Sequence, residues 1–254
     1  MTHSTARCLL TGVLLMALVS AGFAAEPAKP GPPRIVETQL TLRLNPMQGR
    51  ATVIEVEDHT LVIVTAAHFL AADDVGKPIQ IHHEANLTGR LVAVARNPGF
   101  RPIRSRTTDE ESAFGTLGVD TAIAVITLEL KSEAERRVFE KIRPAEMTLA
   151  PVPSAPNQLL TVNIVDQFGE EHAVRAGNHL NPKCLAWGRR NYDTQRGDSG
   201  AGVFLMRKTP EGETTPVLIG NVSQTDDRGG IASLSSRGEP WVSQALTERR
   251  LAPK

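Results

Sequence analysis

The feature that most constrains the fold is a series of short apolar runs rich in β-branched residues. From Ile35 onward these runs recur at short intervals, each bounded by Gly, Pro, Asn or Asp. Several alternate apolar with polar residues, which is typical of antiparallel strands with one buried face. The runs are IVETQLTLRL, RATVIEVE, TLVIVTAA, PIQIHH, GRLVAVA and DTAIAVITL, then QLLTVNIVD, EHAVRA, GVFLM, PVLIGNVS and GIASL. The pattern predicts an all-β fold.

A charged segment divides these runs into two groups. KSEAERRVFEKIRP has a helix-like charge pattern that ends at Pro144, and the following APVPSAP indicates a surface connection. We therefore expect a first β lobe over about residues 35–130 and a second over about residues 157–238. The closing PWVSQALTERRL, a proline followed by an amphipathic pattern, predicts a C-terminal helix over about residues 240–250.

The N-terminal segment predicts export. Arg7 precedes the apolar run CLLTGVLLMALVSAGF, and small residues then lead into EPAKPGPP. The run is short for a bilayer span and no stop-transfer charges follow it, so residues 1–25 are interpreted as a signal peptide cut after Ala24 or Ala25. The alternative is an uncleaved anchor. Residues 26–34 are interpreted as a proline-rich linker or short propeptide, and the mature chain is expected to be periplasmic or secreted, without membrane attachment.

Composition limits the classes of partner and cofactor. The 28 basic and 28 acidic side chains balance, so nothing favours nucleic acid as a partner. Loss of the signal peptide removes Cys8 and leaves Cys184 alone, which allows no intrachain disulfide. Cys184 has no histidine beside it in the sequence and is expected to be structural. No Cys/His spacing resembles a zinc site, so we predict neither a metal nor another cofactor.

A glycine-rich turn is the first candidate for chemistry. NYDTQRGDSGAGVF, residues 191–204, holds Ser199 between glycines directly before an apolar run. Glycines around a small nucleophile indicate a backbone held in a conformation that other residues would strain. Gly, Asp and Ser are also the ordinary residues of a surface turn. The stretch alone leaves both interpretations open.

Two other segments supply the partners that a serine nucleophile needs. VIVTAAHFL places His68 at the end of an apolar strand, and GVDTAIAVITL places Asp120 at the start of another. A serine hydroxyl needs a base, and an imidazole serves well when a carboxylate orients it. Each residue also has a purely structural interpretation. The chain order His, Asp, Ser is one known order of this triad.

On these motifs the sequence resembles the trypsin-like serine proteases, as a secreted bacterial-type member without disulfides. The resemblance rests on TAAH at 65–68, on DTAIAVI from Asp120 and on GDSG at 197–200, with support from LIGNVSQ and the Trp241 segment. It covers about residues 35–250. It implies two six-stranded antiparallel β-barrels, an active site between them and a C-terminal helix.

The resemblance also implies a role for each matched residue. His68 is the general base, Asp120 orients it, and Ser199 attacks the peptide carbonyl to form an acyl-enzyme. The backbone N–H groups of Gly197 and Ser199 are expected to form the oxyanion hole. The implied activity is that of a serine endopeptidase acting on proteins or peptides.

Substrate binding is predicted from residues around the nucleophile. Asp193 stands where relatives that cleave after Arg or Lys carry an aspartate in the pocket, and Ser223, Gln224 and Thr225 are expected to bind substrate from the segment that resembles the strand lining the cleft. A buried carboxylate there would favour cationic side chains. The alternative is that Asp193 is an exposed loop residue. Gln195 replaces the cysteine that usually braces this pocket, and Gln224 and Thr225 stand where an aromatic residue and a glycine are common, so the pocket walls are expected to differ.

Three further interpretations stay open. Cleavage after Arg34 would free Ile35 to insert its amino group beside Asp198, as in relatives made as zymogens. The fold would also suit a catalytically inactive member that binds peptides or scaffolds a partner. A quality-control protease resembling the HtrA group is the third, although little sequence follows Ser199 for that group's peptide-binding domain.

Overall fold

The computed structural model describes residues 31–101, 118–152, 158–179, 181–195, 197–225 and 229–251. Residues 1–25, predicted as a signal peptide, lie outside these ranges. Within them the regular structure is mainly antiparallel β-strand, arranged as two closed barrels.

The first barrel contains six antiparallel strands in the order β1-β2-β3-β6-β5-β4, closed by pairing of β1 with β4. Its strands are β1 (Gln39–Leu44), β2 (Met47–Glu57), β3 (Thr60–Thr65), β4 (Pro78–His82), β5 (Asn86–Arg96) and β6 (Ala122–Leu128). Strand β4 shows why the sequence alternates, because Ile79 and Ile81 point into the barrel while their neighbours are exposed.

Strand β3 does not alternate, and the second barrel explains why. Leu61 and Ile63 pack in the core of the first barrel. Val62 and Val64, on the opposite face, pack in an apolar layer against Phe204 of the second barrel. Because both faces of the strand are covered, almost every residue of β3 is buried.

The second barrel also closes through six antiparallel strands, in the order β8-β9-β10-β13-β12-β11, since β11 pairs with both β8 and β12. Its strands are β8 (Leu159–Val165), β9 (Glu171–His179), β10 (Asn181–Gly188), β11 (Gly202–Lys208), β12 (Thr214–Thr225) and β13 (Gly229–Leu234). A further short strand, β7 (Glu146–Met147), joins β12 in parallel.

Two helices and two short 3₁₀ turns complete the described structure. The helices are α1 (Glu133–Phe139) and α2 (Pro240–Leu251), and the 3₁₀ turns are Ile35–Thr38 and Ala72–Asp74. In α2, Val242 and Leu246 lie one turn apart and are buried in the apolar layer between the barrels. In the described ranges no helix is long and apolar enough to span a membrane.

The predicted all-β fold, two six-stranded antiparallel barrels with a C-terminal helix, is confirmed. Strand β7 was not predicted. It has two residues, which is too short for a hydrophobic period to show, and it forms only because that segment docks along β12.

Candidate active site

His68 and Asp120 meet because their strands are neighbours in the first barrel. Thr65, the last residue of β3, pairs with Ala122, the first residue of β6. The segments beyond these two residues therefore leave the barrel at the same place. His68 Nδ1 lies 2.7 Å from Asp120 Oδ2, and the His68 backbone N–H donates to Asp120 Oδ1 at 2.9 Å. The structure thus joins two predicted site residues that are distant in sequence.

The second barrel fixes the Asp120 carboxylate from the other side. The Ser223 hydroxyl donates to Asp120 Oδ2 at 2.7 Å, and the Asn221 amide donates to the Asp120 carbonyl oxygen at 3.0 Å. Asp120 is 3% exposed, while the His68 side chain is 45% exposed. An Nδ1–H donated to the carboxylate leaves His68 Nε2 with its lone pair and open to the cleft.

The turn that carries Ser199 is held against the first barrel. The Arg50 backbone N–H, from β2, donates to the Ser199 carbonyl oxygen at 2.7 Å. Gly49 lies where this turn approaches the His68 segment, because a Cβ atom there would be 3.0 Å from the Phe69 ring and 3.3 Å from the Ser199 carbonyl oxygen. Ser199 Oγ forms no hydrogen bond with any described residue, His68 included.

Gly200 shows that the turn requires glycine. Its φ is +89°, and a Cβ atom would collide with the Arg50 carbonyl oxygen and with Thr65 Oγ1. The interpretation of this stretch as an ordinary surface turn does not fit such close packing. The glycine instead allows the backbone after Ser199 to lie directly on β2 and β3.

The predicted oxyanion donors are available. Gly197 has a φ of +110°, and the backbone N–H groups of Gly197 and Ser199 find no acceptor among the described residues. A Cβ atom on Gly197 would stand 2.9 Å from Gln167 Oε1. A pair of free N–H groups on one turn is suited to receive a developing negative charge on oxygen.

Asp198 lies inside this turn and points away from the cleft. Its side chain is 1% exposed. Its Oδ2 accepts hydrogen bonds from the Tyr192 hydroxyl and the Gln195 backbone N–H, each at 2.8 Å, and its Oδ1 accepts from the Gln167 backbone N–H at 3.1 Å. A buried carboxylate needs such donors, since it has lost its contact with water.

Gln167 belongs to the β8–β9 turn, which a second carboxylate organises. Asp166 Oδ1 accepts from the backbone N–H groups of Phe168 and Glu170, and its Oδ2 lies 2.9 Å from His172 Nε2. Burial raises the pKa of Asp166, but the bonds from His172 and the two backbone groups outweigh it. The pKa of Asp166 therefore lies below its ordinary value of 3.8.

The residues predicted to bind substrate occupy different environments. Asp193 has a side chain that is 51% exposed and pairs with Arg189, Oδ1 to Nε, at 2.8 Å. A role for Asp193 in binding Arg or Lys stays a prediction, and it requires a substrate cation to displace Arg189. Ser223 is buried, and its hydroxyl donates a hydrogen bond to Asp120 Oδ2. Gln224 and Thr225 end β12, and their side chains lie outside the described part.

Ile35 is buried in the apolar layer between the barrels in the uncut chain. It is 1% exposed and packs in the apolar layer with Ile54 and Val242. The donors on Asp198 come instead from Tyr192 and from two backbone groups. Activation by cleavage after Arg34 stays a prediction.

One cluster has atoms suited to a metal ion. Asp166, Glu170 and His172 each place a ligand atom within 4.8 Å of the others. Both Asp166 oxygens already accept hydrogen bonds from the turn. These hydrogen bonds stabilise the β8–β9 turn and explain why the three side chains lie close together.

The residues behind the serine turn were not predicted. Tyr192, Gln167 and Arg50 all contact it or its neighbours. One signal was present, since Tyr192 is the only tyrosine in the chain and stands close before Ser199. Nothing in the sequence marked Gln167 or Arg50, because their contacts arise from tertiary packing.

Comparison with known proteins was made by sequence and by structure. No family model and no curated protein matches the chain. Among solved structures, a serine protease of human pathogenic astrovirus is 15% identical, with a TM-score of 0.45, over 82% of this chain and 94% of that one. The inactive form of the Rv3671c protease is 13% identical, with a TM-score of 0.46, over 84% and 89%. A mutant, inactive form of Rv3671c from M. tuberculosis H37Rv is 12% identical, with a TM-score of 0.46, over 87% and 90%.

The strand pairing of the chain itself identifies the fold. Two closed antiparallel barrels lie side by side, each with six strands. The His68–Asp120 pair leaves the first barrel where hydrogen bonds from the second reach it. The chain therefore has the trypsin-like fold.

Proposed function

We propose that the chain is a serine endopeptidase that hydrolyses peptide bonds of protein or peptide substrates through His68, Asp120 and Ser199. The observation that carries the proposal is the 2.7 Å contact of His68 Nδ1 with the buried Asp120 carboxylate. Beside it stands a serine turn whose two N–H donors, on Gly197 and Ser199, are free in the described structure. An oriented imidazole and preformed donors are what acyl transfer to serine requires.

In the first half of the reaction, Ser199 Oγ attacks the scissile carbonyl carbon as its proton passes to His68 Nε2. The carbonyl oxygen becomes negative and is stabilised by the N–H groups of Gly197 and Ser199. The C–N bond then breaks, and His68 gives its proton to the leaving amine. The acyl group remains bonded to Ser199 Oγ.

In the second half, water attacks the acyl carbon and gives a proton to His68 Nε2. The bond to Ser199 Oγ breaks, and that oxygen takes the proton back as the acid product leaves. Asp120 fixes the orientation of His68 and stabilises the imidazolium in both halves of the reaction.

A fluorophosphonate probe tests this proposal directly. We expect the mature protein to be labelled at Ser199 and to hydrolyse peptide substrates, and Ser199→Ala to abolish labelling and lower hydrolysis by at least about 10⁴-fold. Ser236→Ala is the matched control, because its buried hydroxyl has no hydrogen-bond partner in the described structure. Equal labelling of wild type and Ser199→Ala would exclude the proposed nucleophile.

Peptide binding without hydrolysis is the second candidate. It is favoured by the lack of a hydrogen bond between Ser199 Oγ and His68, although catalytic contacts often tighten only when substrate binds. This candidate predicts that wild type and Ser199→Ala bind the same peptides and that neither reacts with the probe. Saturable peptide binding by an unreactive wild type would select it.

A preference for Arg or Lys at the scissile position is the finer part of the proposal. It requires a substrate cation to take the place of Arg189 at the Asp193 carboxylate. We expect Arg189→Ala to raise kcat/KM for an Arg substrate relative to an Ala substrate, and Asp193→Asn to lower it. Unchanged ratios in both variants would remove Asp193 from substrate binding.

Export completes the proposed function. We propose that residues 1–25 direct secretion and are removed, leaving a periplasmic or secreted enzyme without membrane attachment. The exported protein is expected to begin at Ala25 or Glu26. Intact-mass measurement tests this, and an exported chain that retains Met1 would contradict it.

A further inference from the structure

The Asp198 carboxylate is held by hydrogen bonds from three separate places in the chain. Tyr192 and Gln195 donate to Oδ2, and Gln167 donates to Oδ1. No described cation lies within 4.0 Å of the carboxylate. Hydrogen bonds, and no direct ion pair, therefore fix its orientation. Among the described donors, Tyr192 is the one that uses a side chain, so it is the one that mutation can remove.

Tyr192 is itself held rigidly. It is 7% exposed, its ring centroid lies 4.7 Å from that of His172, and it packs with Trp187 at a centroid distance of 6.4 Å. Burial, followed by the nearby charge of Asp198, raises the pKa of Tyr192. The hydroxyl therefore stays protonated and remains a hydrogen-bond donor at neutral pH.

The position of Asp198 links this hydrogen bond to the oxyanion donors. Asp198 stands between Gly197 and Ser199, and its backbone N–H donates to the Gln195 carbonyl oxygen at 3.1 Å. Because the two donors flank Asp198 in the chain, a shift of the Asp198 backbone moves the peptide groups that carry them. Asp198 and Tyr192 both line a pocket of about 330 Å³.

We propose that Tyr192 is a positioning residue for the oxyanion hole. Its buried hydroxyl holds the Asp198 carboxylate and so aims the N–H groups of Gly197 and Ser199. The inference rests on the proposed function for its catalytic consequence, while the positioning itself is a property of the fold. Loss of the hydroxyl leaves Asp198 with backbone donors alone and lets the turn adopt orientations in which the two N–H groups diverge.

The test is Tyr192→Phe, which keeps the ring and removes only the hydroxyl. We expect kcat to fall at least about tenfold with KM changed by less than about threefold, because an oxyanion donor is worth roughly 10² to 10³ in turnover and acts in the transition state. Trp241→Phe is the matched control. It removes an indole hydrogen bond to Glu239 at the C-terminal helix, and that bond involves neither Tyr192 nor Asp198.

A second measurement does not depend on activity. Hydrogen exchange of the segment Gly197–Ala201 is expected to accelerate at least about tenfold in Tyr192→Phe and to stay near wild type in Trp241→Phe. If wild type fails to react with a fluorophosphonate, the proposed function fails while the exchange result still decides the positioning role. Unchanged exchange in Tyr192→Phe, or a kcat loss equal to that of Trp241→Phe, overturns the inference.

Discussion

Ser223 and Asp120 belong to different barrels, and a hydrogen bond of 2.7 Å joins the Ser223 hydroxyl to Asp120 Oδ2. The same oxygen lies 2.7 Å from His68 Nδ1. The carboxylate that orients the proposed base is therefore itself oriented by the second barrel. Ser223 is predicted from the sequence to bind substrate, and in the structure its hydroxyl donates a hydrogen bond to Asp120.

Removing this hydroxyl should impair catalysis and stability together. Ser223→Ala leaves a buried carboxylate with one donor fewer, which costs about 1–3 kcal/mol. We expect kcat/KM to fall about tenfold, corresponding to about 1.4 kcal/mol in the transition state. Steady-state kinetics and urea unfolding measure the two effects.

Ser235→Ala is the matched control for this change. Ser235 is also buried in the second barrel, but its hydroxyl has no hydrogen-bond partner in the described structure. Its removal should change kcat/KM by less than about threefold and stability by less than about 0.5 kcal/mol. Equal effects of the two variants would show that the Ser223 hydroxyl does not support Asp120.

The glycine after the nucleophile should not tolerate a side chain. Gly200→Ala meets the Arg50 carbonyl oxygen and Thr65 Oγ1 at a φ of +89°. Gly212→Ala has a similar φ of +87° but open space around the Cβ position. Gly212→Ala should cost about 1 kcal/mol from backbone conformation alone. Gly200→Ala should cost several times more and abolish activity, as thermal unfolding and probe labelling will show. Similar losses in both variants would refute the close packing of the turn.

The Cys184 thiol should be unreactive in the folded protein. It is fully buried, and burial raises the pKa of its thiol to about 12, so the reactive thiolate is scarce at pH 8. In a Cys8→Ser chain, we expect no reaction with Ellman's reagent until a denaturant unfolds the protein. Rapid reaction of the native chain would contradict this burial. Activity should also survive treatment with iodoacetamide.

The β8–β9 turn should weaken in acid. Because the pKa of Asp166 is lowered in the folded protein, its stabilising contribution is present above its ordinary value of 3.8 and is lost as the pH falls through the folded pKa. The difference in unfolding free energy between wild type and Asp166→Asn should thus shrink as the pH falls below about pH 4. Asp73→Asn, at an exposed site, is the control. A difference that grows in acid would contradict the sign.

The fold was predictable because its strands carry their own pattern. The alternation of Ile79 and Ile81 with exposed neighbours in β4 is visible in the sequence. The pairing of His68 with Asp120 was predictable from the motifs around both residues. In contrast, β3 does not alternate, since the second barrel covers its outer face. That layer arises only when both barrels are present.

The residues whose hydrogen bonds hold the candidate site in place were harder to predict from the sequence. The Tyr192 contact with Asp198 and the Gln167 contact with the same carboxylate join segments that no local pattern connects. The environment of Asp193 could not be predicted either, because its exposure and its ion pair with Arg189 depend on the conformation of the turn that carries both residues. Motifs indicate which residues react, whereas the contacts that orient them arise from tertiary packing.

The apolar layer between the barrels has a consequence for how the protein melts. Ile35, near the start of the folded unit, and Val242 and Leu246, near its end, all pack in this layer with residues of both barrels. Neither barrel can detach without exposing the same shared surface to water. The two halves are thus expected to unfold in one cooperative transition, so that a truncation that removes Ile35, or Val242 and Leu246, destabilises both barrels at once.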